Sequence, residues 1–240
     1  MSRLAVVLYF SLLPALCAAA NPPQKPAPPA EFLNGGESLT YSINWPGGAN
    51  LGEAHLQAGK TGEGWQFDFS LSASVPGFAV SDHYHSRTNA DFCALELEKL
   101  TQHGSRKAHE RTVFNYQEGK ATRTTLVEGG GHTDIDISDC AHDGLDFIYY
   151  ARREMALGHG VPKPQDVLFG ALYAVSLDYA GVQDVVVGGK HRQADHIMLS
   201  VRGPASDARA ELFLARDAAR TPLLVKVPFA LGTFSMELVR

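Results

Sequence analysis

Apolar and polar residues alternate along most of the chain, which is the pattern of half-buried β-strands. The clearest runs extend from Leu39 to Trp45 and from Trp65 to Val75, with every second residue apolar. Because successive side chains of a strand point to opposite faces, each run predicts a strand with one apolar face. Similar short runs, separated by glycine-rich turns, continue almost to residue 240. This spacing predicts an antiparallel barrel or sandwich.

One segment, residues 138–160, has helical periodicity instead, and it predicts a single inserted α-helix at about 139–157. Either Ser138 or Asp139 is suited to cap the free N–H groups of its first turn. Gly158 is suited to the left-handed position just beyond a helix C-terminus. The chain is therefore predicted to be mostly β, with one helix acting as a plug or lid of a curved barrel or half-barrel.

The predicted helix is amphipathic at about 100° per residue. Its apolar stripe consists of Ala141, Leu145, Ile148 and Met155, and its polar stripe of Asp143, Asp146, Tyr150, Arg153 and Glu154.

Arg152 interrupts the apolar stripe, and two interpretations remain open. Its stem can pack on the sheet while its guanidinium reaches water or pairs with a structural acid. Alternatively, it faces a cavity and binds a carboxylate or phosphate head group. On the second interpretation, Arg152→Ala should weaken ligand binding without unfolding the domain.

The N-terminus has the pattern of a secretory signal peptide. A short positive start precedes an apolar run, and Ala18-Ala19-Ala20 fits a small-x-small cleavage site. The run is shorter than the roughly 20 residues that a membrane-spanning helix needs. Cys17 raises the alternative of a lipoprotein, although the residues before it do not match a lipobox. We expect cleavage after Ala20 and a periplasmic or secreted location, with no transmembrane span in the mature chain.

Three parts are predicted along the chain. Residues 1–20 form the signal peptide, residues 21–30 a leader with five prolines, and residues 31–240 a single β-rich domain. No linker divides the strands after Ala30, which favours one domain over two.

Cys93 and Cys140 are the cysteines that remain after signal cleavage. An oxidising compartment lets one disulfide form between them. Two buried free thiols are the alternative. Neither cysteine lies in a CxxC motif, which argues against a redox-active site.

Charge and motifs narrow the function classes. The 21 basic and 26 acidic residues form no basic run, so nucleic-acid binding is not expected. The sequence has no G-x-S-x-G, H-E-x-x-H, P-loop or dinucleotide-binding motif, and it indicates no cofactor. An enzyme on an unfamiliar scaffold stays open, but a non-enzymatic protein is favoured and no catalytic residue is assigned.

His83 and His85 are the most ligand-like pair, because residues two apart on a strand share a face. A zinc site needs a third protein ligand, and Asp82 points to the opposite face. Ordinary surface histidines are the favoured interpretation, so no metal site is assigned.

Aromatic residues on the apolar strand faces are candidates for lining a ligand pocket, with a packed core as their alternative role. With Arg152, the candidate ligand-binding residues are Tyr41, Trp45, Trp65, Phe67 and Phe69.

Several stretches, taken in order, resemble an uncharacterised family of exported bacterial proteins, domain-of-unknown-function family 3108. They are the Gly36–Ile43 strand followed by Gly52-Glu53-Ala54, the Asp143-Gly144-Leu145 helix with Tyr149–Arg152, the Asp217…Arg220-Thr221-Pro222 turn and the Gly232-Thr233-Phe234 strand. The resemblance covers most of residues 31–240. It implies an envelope location and a curved β-spiral-like fold, related in shape to periplasmic lipoprotein carriers, and no established activity.

Together these features favour an exported, non-enzymatic protein that binds a lipid-like or other envelope-derived ligand in a concave apolar site. The alternative is a structural or protein-interaction factor for envelope maintenance that uses an exposed sheet edge. An unrecognised hydrolase or metalloprotein is third. The identity of the ligand or partner, the oligomeric state and the openness of the barrel interior do not follow from the sequence.

Overall fold

The computed structural model describes residues 32–62, 64–75, 77–204, 207–230 and 232–239. The predicted signal peptide, the proline-rich leader and Cys17 lie outside these residues. The described elements in chain order are β1 (Glu37–Asn44), β2 (Asn50–Thr61), β3 (Gly64–Val75), β4 (Phe78–Thr88), β5 (Ala94–His103), β6 (Arg106–Asn115), β7 (Lys120–Thr125), β8 (His132–Asp136), β9 (His142–Asp143), α1 (Asp146–Ala156), β10 (Gln165–Leu168), β11 (Leu172–Val187), β12 (Lys190–Arg202), β13 (Asp207–Ala215), β14 (Pro222–Phe229) and β15 (Gly232–Leu238).

All fifteen strands belong to one sheet with the order β8-β7-β6-β5-β4-β3-β2-β1-β15-β14-β13-β12-β11-β10-β9. Consecutive strands from β1 to β8 and from β10 to β15 pair as antiparallel hairpins, and β1 pairs with β15 to join the two halves of the chain. Within the described ranges, the parallel pairing is confined to β9 and β10. The result is the mostly antiparallel, curved sheet that the alternation predicted.

The sheet curls so that β5 and β7 approach the opposite end of the sheet, near β9 and β10. The backbone N–H of Ala94, at the start of β5, donates to the carbonyl of Ala141 over 2.9 Å. Next to this contact, Cys93 and Cys140 form the disulfide that the sequence predicted. Arg123 of β7 also donates to the carbonyl of Gly170, between β10 and β11. The fold is therefore a half-barrel whose ends are held together by loops and one covalent bond.

Helix α1 lies against the concave face of the sheet and takes part in two apolar clusters. Leu145 (just before the helix) and Tyr149 pack with Tyr41 and Phe67 of β1 and β3. The other side of α1 packs against β10–β13 through Phe147, Ala151 and Met155. Burying each large apolar side chain contributes about 1.5–3 kcal/mol, so this packing is the main reason the helix stays in place.

The helix begins later than the sequence predicted, at Asp146 rather than about 139. Neither Ser138 nor Asp139 caps it. Instead, the Asp143 carboxylate accepts the backbone N–H groups of Leu145 and Asp146 at 2.7 and 2.9 Å. The Asp146 carboxylate accepts the N–H of Asp143 in return, at 2.8 Å. This reciprocal arrangement is a capping box, and it places Cys140 outside the helix.

The predicted stripes of the helix are also partly wrong. Asp143 and Asp146 are fully buried because they make these capping bonds, whereas Ile148 is 38% exposed. The predicted end is confirmed, because Gly158 follows the helix with a φ of 82°.

Candidate functional site

A cavity of about 690 Å³ occupies the concave face of the sheet at the end away from α1. We call it the distal cavity. Its lining combines strands from both halves of the chain and is almost entirely apolar. The lining residues are Ile43, Trp45, Leu51, Leu71, Ala73, Ser74, Phe78, Val80, His103, Val225, Val227, Phe229, Phe234, Ser235 and Met236.

The cavity exists because α1 is too short to cover the concave face. Eleven helical residues extend about 16 Å, whereas the twelve residues of β3 extend about 40 Å. The alternating apolar face of β3 therefore meets the helix at Phe67 and continues past it through Leu71 and Ala73. The same strand face is core at one end and cavity wall at the other.

Aromatic side chains line the rim of the distal cavity and remain accessible to solvent. Phe78 is 47% exposed and Phe229 is 61% exposed. The Phe234 ring lies edge-on to both Trp45 and Phe229, with centroid distances of 5.0 and 5.3 Å. Large accessible apolar patches are common at binding grooves and interaction sites of folded proteins.

Of the five aromatic residues predicted to line a pocket, Trp45 lines the distal cavity. Tyr41 and Phe67 are fully buried in the core beneath α1, where the Phe67 ring stacks on Tyr149 at 4.2 Å. Trp65 and Phe69 are half-buried and pack against the same core. The structure thus divides the predicted set between the packed end and the open end of the sheet.

Arg152 lies at the packed end, away from the distal cavity. Its guanidinium donates to both carboxylate oxygens of Glu37, at 2.8 and 2.6 Å, and to the carbonyls of Ala219 and Arg220. The residue is only 1% exposed. This is the arrangement in which the arginine pairs with a structural acid, and these bonds hold the pKa of Arg152 above its ordinary value against the opposing effect of burial.

Polar side chains occupy one wall of the open end, on β4 and β5. The Asp82 carboxylate accepts a hydrogen bond from the Tyr84 hydroxyl at 3.0 Å, and its other oxygen lies 2.8 Å from Nε2 of His103. Burial, and secondarily the neighbouring Asp82, raises the pKa of Tyr84, which further favours the protonated hydroxyl that donates to Asp82. His103 is therefore held in place at the edge of an otherwise apolar cavity.

His83 and His85 lie on the opposite, convex face of β4, as their spacing from Asp82 predicted. Nδ1 of His85 lies 2.6 Å from Oδ1 of Asp68, and His83 is exposed. In the part of the chain that the structure describes, no group of three His, Cys, Asp or Glu side chains is placed to hold a metal ion.

A second polar cluster is sealed inside the protein beside the start of α1. Ser86 donates to Asp143 at 2.6 Å, and Nδ1 of His142 lies 2.7 Å from Oδ1 of Asp146. Burial lowers the pKa of His142 to about 4 and raises the pKa values of both aspartates. Because Ser86, Asp143 and Asp146 have no exposed surface, a substrate has no access and the cluster serves the helix start.

Most of the cavity wall was not predicted from the sequence, although a signal for part of it was present. Leu71 and Ala73 lie on the predicted apolar face of the Trp65–Val75 run, but only aromatic residues of that face were named as pocket candidates. The walls contributed by β14 and β15, including Val227 and Phe234, carried no comparable signal, because the β1–β15 pairing joins strands from opposite ends of the chain.

Comparison with known proteins supports the fold and identifies the family. The described part of the chain contains no helix long and apolar enough to cross a membrane. No curated protein matches the sequence. A solved structure, the beta-barrel-like protein of domain of unknown function DUF1849 from Brucella abortus, has a TM-score of 0.61 and 10% identity, covering 85% of this chain and 95% of that one. This similarity concerns the fold alone. The family model for a protein of unknown function, DUF3108, matches residues 40–239, so the chain belongs to the DUF3108 family.

Proposed function

We propose that this protein is an exported, non-enzymatic binding protein that holds a lipid-like molecule in the distal cavity. The observation that carries the proposal is an open apolar cavity of about 690 Å³ on the concave face of the sheet. This volume lies within the range of about 300–1,000 Å³ that small-molecule sites occupy. Transfer of an alkyl chain from water into such a cavity is favourable by about 0.8 kcal/mol per buried methylene group.

The export half of the proposal rests on the sequence pattern of residues 1–20. A protein in the cell envelope has access to lipids and their breakdown products. The disulfide between Cys93 and Cys140 is consistent with an oxidising compartment. Intact-mass analysis of the protein from an envelope fraction should give a mature chain that begins at Asn21.

Ligand content tests the binding half. The protein is purified without detergent, extracted with organic solvent, and the extract is analysed by mass spectrometry. We expect a stoichiometric apolar molecule in the unmodified protein and its loss in Ala73→Phe, which places a phenyl ring in the distal cavity. Ser72→Phe is the matched control, because adjacent residues of β3 point to opposite faces. Absence of any apolar molecule, or equal content in both variants, would contradict the proposal.

An interaction with another protein through a sheet edge is the second candidate. Strand β8 ends the sheet order and pairs on one side only, with β7, within the described ranges. However, β8 is five residues long and carries Asp134 and Asp136, and short, charged edges are the features that oppose strand addition. If the edge is used, chemical crosslinking in the envelope should return one reproducible partner protein. Removing the charge in Asp134→Asn should not weaken a partner that binds by strand pairing, so loss of the crosslinked partner in this variant would exclude simple strand pairing.

A further inference from the structure

The distal cavity has a basic margin. Val80, His103 and Arg106 lie directly opposite one another on β4, β5 and β6. Residues opposite each other on adjacent strands share a face of the sheet. Since Val80 and His103 both line the cavity, Arg106 lies on the same concave face, one strand further out.

The apolar cavity and the basic margin are continuous. Phe78 and His103 line both the distal cavity and a neighbouring depression that also includes Arg106 and Lys107. Arg106 and Lys107 are exposed. Within the described ranges, no carboxylate lies within 4.0 Å of either cation. An alkyl chain in the cavity therefore has a direct route to the Arg106 guanidinium at its mouth.

His103 is positioned to take part in binding at this mouth. Nε2 of its ring is engaged with the Asp82 carboxylate at 2.8 Å, and Asp82 itself is only 8% exposed. In the described residues, Nδ1 of His103 has no hydrogen-bond partner. In the imidazolium form, both ring nitrogens donate, one to Asp82 and the other to an anion placed beside Arg106. The guanidinium of Arg106 matches a carboxylate or phosphate because it can donate two parallel hydrogen bonds.

The size of the cavity suits a small apolar ligand. Its volume of about 690 Å³ lies within the range of about 300–1,000 Å³ that small-molecule sites occupy. Its rim is open to solvent, because Phe78 and Phe229 are 47% and 61% exposed, so a head group can lie outside the apolar lining.

We propose that the distal cavity binds an anionic amphiphile, with an alkyl chain among the apolar residues and a carboxylate or phosphate head group at His103 and Arg106. This inference rests on the proposed function and adds to it the charge of the head group. A cationic head group is disfavoured by repulsion from Arg106, and a neutral one leaves the guanidinium without an anionic partner.

Four probes with the same twelve-carbon chain separate the head group from the chain. They are dodecanoate, dodecyl phosphate, dodecanol and dodecyltrimethylammonium, titrated below their micellar concentrations into the delipidated full mature chain by calorimetry. We expect dodecanoate or dodecyl phosphate to bind at least tenfold more tightly than the other two. Acetate and inorganic phosphate, which are the head groups alone, should show no binding at the same concentrations.

Variants assign the head-group contacts. Arg106→Met and His103→Leu should each weaken binding of the anionic probe about tenfold and change dodecanol affinity less than twofold. Arg192→Met, which alters an exposed arginine of β12, is the control and should leave both affinities unchanged. A brominated dodecanoate should quench Trp45, which lines the cavity, in a Trp65→Phe background. This quenching distinguishes cavity binding from adsorption elsewhere on the surface.

The outcomes separate this inference from the proposed function. Equal affinity for dodecanoate and dodecanol, or no effect of Arg106→Met and His103→Leu, would overturn the head-group assignment while leaving an apolar binding site. Failure of all four probes to bind would overturn both. The inference would also be overturned if residues 21–31 or a second copy of the chain occupied the cavity and excluded the probes. Probe binding that appears after deletion of residues 21–31 would identify that segment as the occupant, and probe binding that appears on dilution would identify a second copy.

Discussion

Arg152 and Glu37 are 115 residues apart in sequence, yet their side chains form two parallel hydrogen bonds of 2.8 and 2.6 Å in the interior. The pair joins the last turns of α1 to the first residue of β1. The Arg152 guanidinium also lies 4.9 Å from the centre of the Tyr149 ring, which adds a cation–π contact. Each partner therefore compensates the charge of the other in the interior, without hydration by solvent.

Breaking this pair should destabilise the protein strongly. Glu37→Gln removes the negative charge and leaves a buried guanidinium without its counterion, which typically costs about 3–5 kcal/mol. Urea unfolding followed by circular dichroism would measure this loss. Glu53→Gln on β2 is the matched control, because the Glu53 side chain is 68% exposed and should change stability by less than about 1 kcal/mol. A similar small effect for Glu37→Gln would show that the pair contributes little to the fold.

Loss of the disulfide should also destabilise the fold. The bond between Cys93 and Cys140 closes a separation of 47 residues, and restricting the unfolded chain over that length contributes about 4 kcal/mol in the entropic description. The free energy of unfolding of the double variant Cys93→Ser/Cys140→Ser, measured in urea, should be about 4 kcal/mol lower than that of the oxidised protein. Reduction of the unmodified protein is the companion measurement. If the oxidised and reduced proteins unfold at the same urea concentration, the bond does not constrain the unfolded chain.

The architecture was predictable because it depends on local patterns. Alternation identifies which residues of β1 and β3 face inward, and glycine-rich turns mark the hairpins of a meander. Gly158 was correctly assigned to the helix end because a left-handed backbone favours glycine whatever the tertiary context. The predicted Cys93–Cys140 pairing needed only the assignment of Cys17 to the signal peptide and a count of the remaining cysteines.

Long-range partners were not predictable in the same way. Nothing in the residues around Arg152 indicates that its acid is Glu37, because the two meet only after the whole sheet has curled. The helix start was misplaced because Asp143 and Asp146 look like exposed acids until their capping bonds are known. The distal cavity likewise depends on the length of the strands relative to α1 and on the pairing of β1 with β15.

The buried His142 should make stability dependent on pH. Its pKa is lowered by burial to about 4 in the folded protein, from an ordinary value of 6.5 in the unfolded chain. Between these values the unfolded chain binds a proton that the folded protein does not, so acid favours unfolding. The stabilising contribution is complete above pH 6.5, is lost as pH falls toward 4, and amounts to about 3 kcal/mol at 1.36 kcal/mol per unit.

A comparison of variants isolates this effect. Asp143 and Asp146 act in the opposite sense, because burial raises their pKa values and their contribution is lost as pH rises. Between pH 7 and 4, the free energy of unfolding should therefore fall by about 3 kcal/mol more in the unmodified protein than in His142→Gln. Urea unfolding at each pH measures this difference. His191→Gln, an exposed position on β12, is the control and should follow the unmodified protein. Parallel curves for His142→Gln would mean that this histidine does not carry the pH dependence.

The exposed aromatic rim of the distal cavity should be separable from the stability of the fold. Phe78 and Phe229 are 47% and 61% exposed, so replacing both with serine removes accessible apolar surface while little core packing is lost. We expect severalfold weaker fluorescence of the apolar dye anilinonaphthalene sulfonate and a change in unfolding free energy below about 1.5 kcal/mol. Val186→Ser, at a 53% exposed position on β11 outside the cavity, is the control and should leave dye binding unchanged. Equal dye fluorescence in the Phe78→Ser/Phe229→Ser variant and the control would show that the rim does not bind apolar molecules. A large loss of unfolding free energy would instead show that the two phenylalanines belong to the core.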